Sequence, residues 1–140
     1  MKNSGTAMVL FFLTTFIACS KSSQFHEPKT ASLKSKDCAD LYFPNETVKI
    51  CFDSLLTDSR CPKNAVCIWE GYAAGKFTFT AKNQTSTFDL SATHDLSQTY
   101  TTDTIIAGYK IEFSDLAPYP DIMDPSTPGD KTAILKITKQ

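Results

Sequence analysis

What this chain has little of narrows its class first. Neither sign of charge dominates, since 14 lysines and arginines stand against 15 acidic residues for a formal net charge of -1. No basic patch with interleaved aromatics occurs, and this sets nucleic acid aside as a partner. Helical periodicity is weak throughout and no internal repeat recurs. The apolar run from Ala7 to Ala18 is too short to cross a bilayer as a helix. The paired Cys/His spacing of a zinc site is missing too, because His26, His94, Cys38 and Cys51 are scattered around the one short pair, Cys61 and Cys67. No cofactor motif occurs.

What is present begins with an export signal, in which Lys2 precedes the apolar run. The run ends in FIAC, Phe16 to Cys19, and here the sequence resembles the lipobox of bacterial lipoproteins, with Phe16 where that motif usually carries Leu. The resemblance implies a signal peptide over residues 1–18 and an acylated Cys19, bearing palmitate or a similar chain, as the mature N-terminus. Membrane lipid is then the first partner, since each buried CH₂ contributes about 0.8 kcal/mol and an anchor of more than one chain is stable. Cysteine arithmetic agrees: of 5 cysteines, assigning Cys19 to lipid leaves an even set to pair. Ser20 directly after the cysteine is similar to the outer-membrane class of such lipoproteins, which implies a periplasm-facing domain. Residues 19–36 are rich in Ser and Lys with almost no apolar content, and read as a flexible tether.

Residues 37–140 then form one domain, about one hundred residues with one core. Period-two alternation recurs along it. Val48, Ile50 and Phe52 share one face of a strand and Cys51 the other. Phe77, Phe79 and Ala81 alternate against threonines ahead of a polar turn at Lys82 to Thr85 and a returning strand through Phe88 and Leu90. Tyr109, Ile111 and Phe113 mark another strand, and Ala133, Leu135 and Ile137 the last. Cys67, Ile68 and Trp69 read as a strand that sends Trp69 into the core and is interrupted at Gly71. Six or seven short strands of this kind predict an all-β, immunoglobulin-like antiparallel β-sandwich.

In an oxidising compartment the remaining cysteines are expected as two disulfides. Of three connectivities, Cys61–Cys67 and Cys38–Cys51 join near neighbours, the second by a segment laid over the outer face of the Cys51 strand. Pro62 and Asn64 suit the tight loop that the first would close. At this stretch the sequence is similar to an uncharacterised group of small bacterial secreted and lipid-anchored domains, through Asp58, Ser59, Arg60, Cys61, Pro62, Cys67, Trp69 and Gly71 and through a later APYP at Ala117 to Pro120. That resemblance implies a shared fold and no activity.

The chemistry-bearing residues are sparse. His94 stands beside Asp95 with Ser91 and Ser97 near in sequence, but a catalytic triad is assembled in space from separate elements. Glu70 and Glu112 are not distinguished from solvated carboxylates. No enzyme is expected. Asp121, Asp124 and Asp130 gather in a proline-rich loop and are the candidate calcium ligands, although no EF-hand spacing is met. Lys63 and Asn64 on the stapled loop are candidates for insertion into a protease cleft. The expected role is binding or structural at the envelope, toward a protein or a glycan. The alternatives are a protease inhibitor or calcium-dependent module, and an enzyme whose site is assembled only in space.

Overall fold

The computed structural model describes residues 27–94, 97, 99–123 and 131–140. Eight strands carry the fold: β1 (Lys29–Lys34), β2 (Cys38–Phe43), β3 (Glu46–Asp58), β4 (Ala73–Ala81), β5 (Gln84–Ser91), β6 (Asp103–Ile106), β7 (Tyr109–Ala117) and β8 (Thr132–Lys139). They form two antiparallel four-stranded sheets, ordered β1-β8-β7-β6 and β2-β3-β4-β5, packed face to face as a β-sandwich. Within each sheet nearly every strand lies beside its neighbour in sequence, and only the pairing of β1 with β8 joins the two ends of the chain.

Local chemistry sets the turns. Lys82 and Asn83 form a two-residue loop with φ of 51° and 61°, and the β6–β7 loop does the same at Ala107 and Gly108 with φ of 52° and 84°. Two left-handed residues in succession give the turn whose twist matches antiparallel strands. Asn45, with φ of 70°, closes the β2–β3 turn after Pro44.

The alternating residues fill the interior. Phe77 of one sheet meets Phe113 of the other edge to face at 5.0 Å, and Phe79 meets Tyr109 in the same way at 5.5 Å. Such pairs add to the burial of large apolar surface. Gly75 is required by this packing, since a Cβ there would lie 2.9 Å from the rings of both Phe52 and Phe77. The faces expected for Val48, Ile50 and Phe52, for Tyr109, Ile111 and Phe113, and for Ala133, Leu135 and Ile137 are the buried ones.

Four sequence expectations are corrected. Residues 29–34, assigned to the tether, are β1, whose Ala31 and Leu33 are buried against Leu135 and Ala133 of β8, so the domain starts near Lys29 and not at residue 37. The strands number eight rather than six or seven. Cys38 does not overlie β3 but sits beside it: Cys38 and Cys51 are direct cross-strand partners with Cα atoms 4.0 Å apart, bonded as a disulfide on the outer face. Finally, the Cys67 to Trp69 segment is loop, and Trp69 is half exposed, because the chain there leaves both sheets. The other disulfide is Cys61–Cys67.

The sheet register also gives the molecule a polarity. Lys29 lies opposite Ile137, while Lys34 and Ala117 lie opposite Thr132. The end of β3 at Asp58 is at this second end, since Asp58 contacts Lys131. The stapled loop and the start of β1 are therefore at opposite ends of the sandwich.

Candidate functional site

The stapled loop is built on a buried arginine. Arg60, only 3% exposed, donates Nε and Nη2 to the two carboxylate oxygens of Asp58 at 2.8 and 2.9 Å, and Nη1 to the Leu116 carbonyl at 2.7 Å. Its guanidinium lies 4.5 Å over the Tyr119 ring, and Asp115 approaches Nη1 at 3.6 Å. Lys131 completes the cluster, 3.3 Å from Asp58 and donating to the Pro118 carbonyl at 2.8 Å. The planar fork of Arg meets both carboxylate oxygens at once while a third N–H reaches the Leu116 carbonyl, a bidentate geometry that the point charge of a lysine does not reproduce. Burial pulls the Asp58 carboxyl upward, but the hydrogen bonds and charges of Arg60 and Lys131 outweigh it and hold the group below the usual carboxylate range. The cluster clasps the end of β3 to the Ala117–Pro120 turn, in which the Ala117–Pro118 bond is cis.

Beyond the clasp, residues 59–61 run back to back with 70–72: Ser59 N donates to the Tyr72 carbonyl at 2.9 Å and Cys61 N to the Glu70 carbonyl at 2.7 Å. Gly71 makes this approach feasible. It has φ of +69°, and a Cβ would lie 1.9 Å from the Ser59 carbonyl oxygen, so no other residue fits. Asp58, Arg60, Pro62 and Gly71 thus belong to the framework, Pro62 through its carbonyl, which accepts from Ala65 N inside the disulfide ring.

The loop is also fixed along its side. Lys63 N donates to the Pro120 carbonyl at 2.9 Å, and the Asn64 amide donates to Asp121 Oδ1 at 3.1 Å. The same oxygen accepts from Met123 N. Lys63 and Asn64 are therefore tied to a neighbouring segment, whereas a protease cleft takes an extended strand with its backbone free to pair. Asp121 likewise spends its Oδ1 on protein donors, and Asp124 and Asp130 lie outside the described residues. Among the described residues no group of three or more His, Cys, Asp or Glu side chains is placed to hold a metal ion.

What this frame presents is apolar. Val66 and Ile68 are fully exposed, Trp69 is half exposed, and Ile122 and Met123 of the adjoining loop are exposed as well. Beside them Ile68, Trp69, Glu70, Gly71 and His94 line an open cleft of about 330 Å³. Trp69 is braced edge to face by Tyr72 at 6.3 Å, and Tyr72 in turn by Tyr100 at 5.9 Å. The sequence marked the staple and Trp69 and gave Ile68 only as a strand residue, while Val66, Ile122 and Met123 went unread. Their signal was apolar residues inside otherwise polar, proline-containing loops.

Among the described residues the other candidate groups do not converge. Ser91 is buried and its hydroxyl donates to the Thr101 carbonyl at 3.4 Å, while Ser97 bonds to Thr99 at 2.8 Å. Glu112 lies within the sheet between Asp103 and Lys136, and Glu70 is on the loop at the cleft. Cys19, His26 and Asp95 lie outside the described residues. At the far end Glu46 pairs with Lys139, whose hydrogen bond holds the Glu46 carboxyl low. Tyr109, by contrast, is pushed well up, by burial first and by Glu46 second. No family model, curated protein or solved structure matches the chain.

Proposed function

We propose that this protein is a lipid-anchored binding module of the bacterial outer membrane, facing the periplasm, with its anchor at Cys19 and its binding surface on the stapled-loop end of the sandwich. The observation that carries the reading is the exposed apolar set of Val66, Ile68 and Trp69, on a loop held by a disulfide, a buried arginine clasp and Gly71, together with Ile122 and Met123 of the adjoining loop. Contiguous exposed apolar side chains mark interaction sites, and a surface rigid before binding loses less on association.

The polarity of the fold supports a partner other than the anchoring bilayer. Ten residues from Cys19 to Lys29 span at most about 35 Å. The stapled loop lies beyond the far end of β8, whose 8 residues alone rise about 27 Å. Turning that end onto the same membrane requires a nearly taut connection, so the anchored domain offers the loop outward.

Two measurements test the reading. Mass spectrometry of the native product is expected to find an acylated N-terminal Cys19, and Cys19→Ala is expected to move the protein from the membrane to the soluble fraction. A photo-crosslinking residue at Ile68 in intact cells is expected to form an adduct with an envelope component. A product that retains residues 1–18, or one that forms no adduct from Ile68, overturns the proposal.

A further inference from the structure

The cleft beside the loop carries more than an apolar surface. Of its lining, Ile68 and Trp69 are apolar, Gly71 offers bare backbone, and Glu70 and His94 are titratable. Among the described residues neither the Glu70 carboxylate nor the His94 ring has a hydrogen-bond or ion-pair partner. The Gly71 carbonyl is already taken by the Thr93 hydroxyl at 3.4 Å, and the Glu70 carbonyl by Cys61 N. The lining therefore combines an indole with a carboxylate and an imidazole that no described residue pairs.

An aliphatic chain would use the indole and leave the carboxylate and imidazole idle. A strongly charged ligand would use those two and leave the indole idle. A saccharide ring has both parts, an apolar face of C–H groups and an equatorial edge of hydroxyls, and such amphipathic ligands are held by an aromatic surface with a few polar groups around it. Glu70 can accept from two hydroxyls, and His94 can donate to one or accept from one. A volume of about 330 Å³ is within the range of small-molecule sites.

We infer that the cleft formed by Trp69, Glu70, Gly71 and His94 takes a sugar ring of an envelope glycan. This rests on the reading of the domain as a binding module and names its ligand class. The frame suits the task. Cys61–Cys67, the Cys61–Glu70 backbone bond and the Trp69–Tyr72–Tyr100 aromatic series fix the indole before any ligand arrives.

Trp69 is the single tryptophan of the chain, so intrinsic fluorescence reports on the cleft alone. The acylated protein, in a detergent without a sugar headgroup, is titrated with oligomers of β-1,4-linked N-acetylglucosamine, glucose and mannose, using glycerol as the control. At least one sugar is expected to give a saturable emission change, with glycerol giving none. Calorimetry is expected to show about tenfold weaker binding for Trp69→Ala, and weaker binding for Glu70→Gln at unchanged melting temperature. No saturable response to any of the sugars, or binding that survives Trp69→Ala unchanged, overturns the saccharide assignment. If the Ile68 photo-adduct is then a polypeptide, the binding-module reading stands without it; if there is no adduct either, both are overturned.

Discussion

Replacing Asp58 by Asn is the sharpest test of the clasp, because it removes one charge and almost no volume. Arg60 and Asp58 have side chains 1% and 10% exposed, and Lys131 is as sheltered as Asp58. Asp58→Asn leaves two sheltered cations, of which Arg60 keeps Asp115 as a counter-charge 3.6 Å away and more than half exposed. Breaking one side of a buried pair costs about 3–5 kcal/mol, since the other charge stays desolvated. The Asn oxygen still accepts one hydrogen bond, which puts the expected loss near the bottom of that range, about 3 kcal/mol. For a domain of this size that lowers the melting temperature by about 12 °C. Adding Arg60→Met removes the stranded charge, so the double variant is expected to lose clearly less than the two single losses combined. Thermal and urea unfolding of the four proteins measure this. A loss under about 0.5 kcal/mol for Asp58→Asn, the level of an exposed pair, or strict additivity in the cycle refutes the claim that Arg60 is a buried charge held by Asp58.

Gly71→Ala meets both a left-handed backbone and a carbonyl oxygen at 1.9 Å, so it is expected to cost more than about 3 kcal/mol or to prevent folding, read by circular dichroism. Gly75→Ala is milder, about 1–3 kcal/mol, because the Phe52 and Phe77 rings at 2.9 Å can shift. Replacing both cysteines of a bridge with serine is expected to cost about 2 kcal/mol for Cys61–Cys67 and about 3 kcal/mol for Cys38–Cys51, whose sequence separation is 13 against 6, as measured by denaturant titration. Acid should unfold the domain in a carboxylate-dependent way. Asp58 and Glu46 titrate lower when folded than when unfolded, so their stabilisation is complete above the usual carboxylate values near 4 and is lost as pH falls through the folded ones. Unfolding followed from pH 6 to 2 should be flatter at its acid end in Asp58→Asn than in the wild type.

The amino-acid order alone determined the strand faces and the pairing of the sulfurs. Alternation such as Val48, Ile50, Phe52 or Ala133, Leu135, Ile137 is a property of the local chain, because successive side chains of a strand point to opposite faces. The Cys61–Cys67 ring is similarly local, and Pro62 and Asn64 announce its turn. Tertiary structure decided the rest. β1 has two core residues, Ala31 and Leu33, in a polar stretch, and it becomes a strand only because β8, a hundred residues away, supplies its partner. Arg60 stands in the sequence only as one residue of the Asp58 to Gly71 motif, and what buries it, Leu116 and Tyr119, lies some 56 positions later. Trp69 reads as core by its chemistry, yet the Cys61–Glu70 closure lifts it off both sheets and beside His94. Periodicity reports which way a side chain points, whereas the identity of what it meets depends on closing long loops, and no short window of sequence contains that information.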